Sequence, residues 1–320
     1  RNAVGIFDVS HMGKLRIIGD GALEFLNSVL TNDLNRISDG QAQYSLLCNE
    51  SGGVIDDLIV YRVSEREVRI VPNAANAASV VQTLNAVTPK SVTVHDLQIE
   101  QGILAIQGPN SANVLDALSL PSDLSYMSFT DATWNGVELS VCRTGYTGEH
   151  GYELIAPNSI LVELWKQALS LGAEFGLIPC GLGARDTLRT EMGYPLHGQD
   201  ISLDISPVMA KLTWAIGWDK PTFFGKEALT TQRADAQLRK LWGLRAQDRG
   251  IPRSHMDVKR GDEVIGTTTS GTFSPTLQQG IALALLDADV TEGDELVIDV
   301  RGRALNAKVV KPPFVDSHVK

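Results

Sequence analysis

Two adjacent carboxylates inside an apolar run are the residues of this chain best suited to chemistry. The segment Ser51–Arg62 (SGGVIDDLIVYR) carries Asp56 and Asp57 between two glycines and strand-forming residues. Side chains alternate faces along a strand, so the two carboxylates lie on opposite faces, and neither face is otherwise polar. An unpaired charge is costly in such surroundings, which makes the run a candidate functional site and not merely a core strand.

Asp57 shares its strand face with Tyr61, four residues further along. At ~3.3 Å per residue the two side chains are roughly 13 Å apart, a span that could bracket one ring system and its linker. The alternative is structural: Asp57 accepts hydrogen bonds in a buried network and Tyr61 belongs to the core. Both interpretations stay open on spacing alone.

A second candidate is the glycine-rich segment Arg143–Glu153 (RTGYTGEHGYE). Glycine lets a backbone approach a ligand closely, although such a turn also occurs without any function. Glu153 begins an apolar strand, between Tyr152 and Leu154, and is a stronger candidate than Glu149. A carboxylate is the matching acceptor for two adjacent N–H donors, such as those on a pterin or guanine edge.

The segment Gly181–Tyr194 (GLGARDTLRTEMGY) predicts a helix with Arg185 and Arg189 one turn apart. Arg185 falls in the first turn, where the positive end of the helix dipole disfavours a cation. This placement indicates an anionic or polar ligand, and an intrahelical pair with Asp186 or Glu191 is the alternative. The third glycine of a dinucleotide fingerprint is missing.

Several other classes of protein are excluded by composition and pattern. The net charge is −10 and no run of five Lys or Arg occurs, which argues against duplex nucleic acid as a partner. No apolar stretch is long enough for a transmembrane helix, so no membrane is expected. The 3 cysteines are far apart and the histidines form no ligand pattern, so we expect free thiols and no metal. Phosphate-loop and serine-hydrolase motifs are absent, and Thr269–Leu277 (TSGTFSPTL) is interpreted as a turn-rich loop.

The elements that position these candidates alternate between strands and helices in the first part of the chain. Predicted strands cover 14–18, 42–48, 54–63, 68–71, 92–96, 103–107, 134–143 and 152–156, and predicted helices cover 21–30, 75–87, 111–118, 159–171 and about 183–192. Asn73 is a candidate N-cap for the second helix, and Gly193 suits the position just after the last. From Leu238 onward only short, turn-bounded strands are predicted, at 240–245, 263–268, 280–286 and 295–300, which indicates an all-β C-terminal domain.

Taken together, these segments resemble the T-protein (aminomethyltransferase) family of the glycine cleavage system nearly from end to end. The resemblance rests on Phe7–Lys14 (FDVSHMGK), Asn49–Tyr61 (NESGGVIDDLIVY), Arg143–Glu153, Gly181–Gln199 (GLGARDTLRTEMGYPLHGQ), Phe224–Leu229 (FGKEAL) and Thr269–Leu277. It implies an α+β protein in a three-domain cloverleaf: two interleaved α+β folate-binding subdomains with mixed or antiparallel sheets, and a C-terminal barrel-like all-β domain. The expected limits are 1–236 for the folate-binding region, with 12–98 inserted between 1–11 and 99–236, and 237–320 for the barrel.

The resemblance also implies an activity, partners and site residues. The family transfers the one-carbon unit from the aminomethylated lipoyl arm of the H-protein to tetrahydrofolate, giving 5,10-methylenetetrahydrofolate, ammonia and dihydrolipoyl H-protein. Its catalytic aspartate falls on Asp57, with no metal. Its folate-binding residues fall on Tyr44, Tyr61, Asn73, Tyr126, Glu153, Arg185 and Tyr194, with a looser match at Lys320.

Two other functions within the same superfamily are alternatives. One is the folate-binding part of a sarcosine- or dimethylglycine-oxidising flavoenzyme, which carries an additional flavin domain that we do not find. The other is a non-catalytic folate-binding protein of iron–sulfur assembly, whose K-G-C-Y-x-G-Q-E motif is absent. We expect a monomer or weak dimer in the cytoplasm, or in the mitochondrial matrix if the source is a eukaryote. The chain starts at a position usually internal to the family, so we also expect a preceding segment in the full protein.

Overall fold

A computed structural model describes the whole chain, residues 1–320. The strands are β1 (Val4–Asp8), β2 (Leu15–Gly19), β3 (Gln41–Cys48), β4 (Val54–Ser64), β5 (Glu67–Pro72), β6 (Val92–Asp96), β7 (Gln101–Gln107), β8 (Phe129–Trp134), β9 (Val137–Cys142), β10 (Gly151–Pro157), β11 (Leu177–Cys180), β12 (Lys240–Ala246), β13 (Asp257–Arg260), β14 (Glu263–Ser274), β15 (Gln279–Leu286), β16 (Glu295–Val300) and β17 (Arg303–Val310). The α-helices are α1 (Ala22–Val29), α2 (Ala77–Asn85), α3 (Ser111–Ala117), α4 (Asn158–Gly172), α5 (Leu182–Glu191) and α6 (Lys226–Ala234). None of the helices combines the length and the apolar run needed to cross a bilayer.

The two adjacent carboxylates lie on β4, in a five-stranded antiparallel sheet with the order β3-β4-β5-β2-β6. Helices α1 and α2 cover one face of this sheet with side chains spaced three and four residues apart, such as Val80 and Leu84. The apolar residues of β4 on that face, Leu58 and Val60, complete the core beneath the helices. The strand therefore has one face closed by helices and one face left for a different neighbour.

A six-stranded mixed sheet packs against that second face. Its order is β11-β1-β7-β10-β9-β8, with β1 and β11 parallel and the other pairs antiparallel. The chain begins in this sheet, leaves it to build the five-stranded sheet, and returns at β7. Apolar side chains from both sheets, including Phe7, Tyr61 and Ile103, form one shared core cluster. Asp57 lies on the same face as that cluster, so it points between the two sheets.

The last six strands close into a barrel in the order β12-β15-β14-β13-β16-β17. Strand β14 lies beside helix α5, which links the barrel to the mixed sheet. The interleaved sheets and the closed barrel confirm the predicted α+β fold class. The domain limits at residues 12, 99 and 237 stay predictions.

Several local predictions were wrong or incomplete. The single strand expected over 134–143 is the second half of a hairpin, β8 and β9, which turns at Asn135 and Gly136 with φ of 50° and 80°. An Asn-Gly pair with two positive φ values is the preferred two-residue hairpin turn, so the signal was present in the sequence. Most of the loop expected over Thr269–Leu277 is instead the second half of β14. Strands β1, β8, β11, β13 and β17 and helix α6 were not predicted.

The two predictions about helix ends had different outcomes. Helix α2 begins at Ala77 after Asn76, and Asn73 does not cap it, because its side chain binds the two carboxylates of β4. Gly193 is confirmed at the position after α5, with φ of 67°. The Gly193 N–H donates to Thr190 O at 2.9 Å and the Tyr194 N–H to Arg189 O at 3.0 Å, the bonds of a Schellman motif. This turn reverses the chain and directs Tyr194 back toward the sheets.

Candidate active site

Two cavities meet at Asp57. The smaller has a volume of about 380 Å³ and the larger about 690 Å³. Five residues line both of them: Tyr44, Asp57, Ile59, Gly145 and Tyr146. Both volumes fall in the range of small-molecule sites. The side chain of Asp57 is only 9% exposed, so a ligand in either cavity would meet a carboxylate largely removed from bulk water.

Two side chains hold the Asp57 carboxylate. Tyr44 Oη donates a hydrogen bond to Oδ2 at 3.0 Å, and Asn73 Nδ2 donates to Oδ1 at 2.8 Å. Burial raises the pKa of Asp57 above its ordinary value, and the bonds from Tyr44 and Asn73 and the nearby His197 oppose that rise. The carboxylate is thus oriented and is a better proton acceptor than an exposed aspartate.

The neighbouring carboxylate, Asp56, is fully buried on the other face of β4 and serves as an anchor. It accepts hydrogen bonds from the Asn73 backbone N–H at 2.8 Å, from Asn73 Nδ2 at 2.9 Å and from Asn76 Nδ2 at 2.7 Å. Burial and the charge of Asp57 raise the pKa of Asp56 to about 7, against the effect of these donors. Asn73 therefore bridges the two carboxylates, and Asp56 acts on the site through it.

We expect Asp56 to make stability depend on pH. A carboxyl whose folded-state pKa of about 7 exceeds the unfolded value near 3.8 binds its proton more tightly in the native protein. Its contribution to the free energy of unfolding therefore falls as pH rises between those values, by at most about 1.4 kcal/mol per pH unit. The Asp56→Asn variant lacks this term, so its unfolding free energy should decline less than that of the wild type between pH 5 and 7. Urea unfolding at pH 5, 6 and 7 measures the two slopes, and parallel slopes would contradict the assignment.

Glu153 lines the smaller cavity and is fixed by a threonine. Thr144 Oγ1 donates to Glu153 Oε2 at 2.6 Å, and the hydroxyl of Tyr61 lies 3.1 Å from the same Thr144 oxygen. Tyr61 itself is 2% exposed, packs edge-on against Phe129, and lines neither cavity. The structure therefore places Tyr61 behind Thr144, in the core between the sheets.

The glycines of the Arg143–Glu153 segment make room for a side chain. A Cβ atom on Gly145 would lie 2.0 Å from Gln107 Oε1, and one on Gly151 would lie 2.5 Å from Gln107 Cδ. Gln107 Nε2 in turn donates to the carbonyls of Thr144 and Tyr152, both at 3.1 Å. Gly145 and Gly151 thus let Gln107 hold the backbone at Thr144.

Arg185 extends into the smaller cavity without a protein partner for one of its nitrogens. Its guanidinium carbon lies 4.9 Å from the centre of the Tyr146 ring, and its buried Nη1 atom makes no hydrogen bond. The intrahelical pair considered from the sequence exists instead for Arg189, which binds Asp186 at 2.7 Å. A buried guanidinium nitrogen with no acceptor is the feature expected where a polar ligand supplies one.

The remaining predicted residues lie on the larger cavity or outside both. Tyr126 and Tyr194 line the larger cavity, and Tyr194 stacks with Tyr146 at 5.8 Å between ring centres. Burial raises the pKa of Tyr194 to about 12, so it acts as a neutral hydroxyl. Lys320 is exposed at the end of the chain and lines neither cavity.

Several side chains that line the two cavities were not predicted from the sequence. Tyr146 contacts Arg185 and Tyr194 and lines both cavities, and its place inside the quoted glycine-rich segment was the available signal. His11 and Met12 line the smaller cavity from the segment FDVSHMGK. Lys211, Lys311 and Trp214 line the larger cavity and carried no local signal.

A buried polar seam joins the site to the barrel. Asp200 is fully buried and accepts bonds from Arg189 Nη1 at 2.7 Å, Thr269 Oγ1 at 2.5 Å and Ser270 Oγ at 2.8 Å. The hydroxyl residues of the segment TSGTFSPTL therefore bind helix α5 and the chain that follows it. Since Arg189 also lines the smaller cavity, this seam closes one wall of the site.

Comparison with known proteins identifies the class to which this fold and site belong. A family model described as the GCVT N-terminal domain matches residues 1–220, and one described as the glycine cleavage T-protein C-terminal barrel domain matches residues 239–316. The chain therefore belongs to the glycine cleavage T-protein family, and its activity is that of an aminomethyltransferase.

Individual relatives agree with that membership. A protein of Parafrankia sp. named aminomethyltransferase is 59% identical over 318 residues, covering 99% of this chain and 87% of that protein. One of the same name from Mycobacterium tuberculosis is 55% identical over 317 residues, covering 98% and 86%. The crystal structure of glycine cleavage system aminomethyltransferase T from Bartonella henselae matches with a TM-score of 0.92 at 34% identity, covering 99% and 88%. These matches do not favour the oxidase or iron–sulfur alternatives.

Proposed function

We propose that this chain transfers the one-carbon unit of an aminomethyl group, carried on the lipoyl arm of the H-protein, to tetrahydrofolate. The products are 5,10-methylenetetrahydrofolate, ammonia and dihydrolipoyl H-protein. The observation that carries the proposal is the position of Asp57, a buried carboxylate where two ligand-sized cavities meet. A reaction between two large substrates needs such a junction, and the family membership supports folate and the H-protein as those substrates.

The residues present fit a folate laid across both cavities. Glu153 in the smaller cavity suits the adjacent N–H donors of a pterin. Tyr126 and Tyr194 offer planar surface with a polar edge for the benzoyl group in the larger cavity. Lys211 and Lys311 line the same cavity and suit the glutamate carboxylates. Burial lowers the pKa of Lys211 to about 7, and a bound carboxylate would favour its charged form.

In this placement the reactive nitrogens of the folate, which lie between pterin and benzoyl group, come beside Asp57. Two C–N bonds form and the C–S bond and the original C–N bond break. The protons of the two folate nitrogens end on the thiol and on ammonia. Asp57 accepts a proton from the attacking nitrogen, and Tyr44 and Asn73 hold its carboxylate in the orientation for this step.

We further propose that the protein works as a monomer or weak dimer in the bacterial cytoplasm. The relatives compared above are bacterial. Cys48 and Cys142 are free and buried, which suits a reducing compartment.

The test of this function is ammonia release from glycine in the presence of the partner proteins of the glycine cleavage system. With tetrahydrofolate, ammonia output should rise well above the rate without folate, and 5,10-methylenetetrahydrofolate should accumulate in equal amount. An ammonia output that does not respond to tetrahydrofolate would overturn the proposal.

A further inference from the structure

We propose that Thr144, supported by Tyr61, is a positioning residue that orients the Glu153 carboxylate for the pterin of the folate. The inference rests on the proposed function, since it concerns how the same site selects its substrate. Thr144 lines the larger cavity and Tyr61 lines neither, so Tyr61 acts in this role without touching the folate, which differs from the direct contact expected for it on the resemblance.

The direction of the hydrogen bonds follows from the number of protons available. An ionised carboxylate only accepts, so Thr144 must use its single hydroxyl proton on Glu153 Oε2, at 2.6 Å. The hydroxyl of Tyr61, at 3.1 Å from Thr144 Oγ1, must then be the donor of that contact. The result is a one-way chain from Tyr61 through Thr144 to Glu153.

The donor side of the chain is rigid because Tyr61 and Thr144 are buried and held from several sides. Thr144 is 3% exposed, and its carbonyl accepts a bond from Gln107 Nε2 at 3.1 Å. The ring of Tyr61 packs against that of Phe129, 5.4 Å away at an interplanar angle of 81°. A donor fixed in this way sets the plane of the Glu153 carboxylate relative to the cavity.

The arrangement leaves acceptor capacity for a ligand. Oε1 of Glu153 makes no hydrogen bond within the protein, and Oε2 accepts only the one from Thr144. The hydrogen bond from Thr144 is therefore the protein contact that orients the Glu153 carboxylate. Two adjacent N–H groups on the edge of a pterin fit this pair of oxygens, whereas a ring edge with acceptors does not.

The test is the steady-state kinetics of four variants with tetrahydrofolate as the varied substrate. Thr144→Val keeps the shape and loses the donor, and we expect the KM for tetrahydrofolate to rise about tenfold with kcat within about twofold. Thr144→Ser restores the hydroxyl and should return the KM close to that of the wild type. Tyr61→Phe removes only the outer donor and should raise the KM by about threefold. The matched control is Thr133→Val, an exposed threonine on β8, which should leave both constants unchanged.

A fifth variant, Glu153→Gln, separates failure of this inference from failure of the proposed function. If Glu153→Gln raises the KM and Thr144→Val does not, the carboxylate needs no positioning and the inference is wrong. If Thr144→Val lowers the melting temperature and kcat but leaves the KM for tetrahydrofolate unchanged, Thr144 has a structural role only and the inference is wrong. If Thr144→Val does not fold, an unchanged KM for tetrahydrofolate in Tyr61→Phe is enough to contradict the proposed hydrogen-bond chain from Tyr61 to Glu153. If the wild type neither binds nor turns over tetrahydrofolate, the proposed function fails and the inference fails with it.

Discussion

Replacing Asp57 with asparagine is expected to slow aminomethyl transfer by roughly 10²–10⁴-fold, the usual cost of losing a positioned proton acceptor. Asparagine matches aspartate in shape but accepts no proton at neutral pH. The bonds from Tyr44 and Asn73 reach the two oxygens of Asp57, and an amide can still accept one of them. The rate of ammonia release in the presence of saturating tetrahydrofolate and aminomethylated H-protein measures the loss.

The same variant separates catalysis from binding. Because the cavities and the tyrosines around Asp57 remain, its affinity for tetrahydrofolate should stay within a few-fold of the wild type. A matched control is Asp299→Asn, which removes a half-buried carboxylate of the barrel that pairs with Lys259 at 2.9 Å and should leave the rate unchanged. Near-normal turnover by Asp57→Asn would end the assignment of Asp57 as the catalytic base.

Replacing Asp200 with asparagine is expected to destabilise the protein by about 3 kcal/mol, because it leaves Arg189 buried without its main counter-charge. Arg189 is 3% exposed and its remaining carboxylate partner, Asp186, is half exposed. In the wild type, Asp200 Oδ2 accepts hydrogen bonds from the Ser270 hydroxyl and the Leu196 N–H. In the variant, the amide NH₂ group of asparagine can occupy this position, and it donates hydrogen bonds instead of accepting them. Thermal and urea unfolding followed by circular dichroism measure the effect.

An exposed ion pair of the barrel provides the comparison. Asp289 binds Arg260 at 2.6 Å, but its side chain is 68% exposed. Pairs of this kind contribute about 0–1 kcal/mol, so Asp289→Asn should unfold almost as the wild type does. Equal effects of Asp200→Asn and Asp289→Asn would show that the buried seam between α5 and β14 does not stabilise the interface.

The sequence was informative wherever one local pattern had one physical meaning. The alternation along β4 predicted a strand with at least one of its two carboxylates away from water, and both are buried. Gly193 was predicted to end α5 because a left-handed residue there favours glycine, and it does so. The shift to short strands after residue 237 predicted the β-structure that closes into a barrel.

Only the tertiary structure decided which polar groups meet, because their partners are distant in the chain. Asn73 looks like a helix cap by its position, yet it binds Asp56 and Asp57, 16 or 17 residues earlier. Tyr61 contacts Thr144, which lies 83 residues later in the sequence. The spacing of residues along one strand cannot predict such a contact.

The segment TSGTFSPTL illustrates the same limit. Its small hydroxyl residues are typical of a turn when read locally, but Thr269 and Ser270 satisfy the buried Asp200 across the interface with the barrel. Periodicity and turn chemistry act within a few residues, so they determine elements and their ends. Hydrogen bonds between buried groups depend on how the sheets, α5 and the barrel pack together, so the site's connections could be known only from the folded chain.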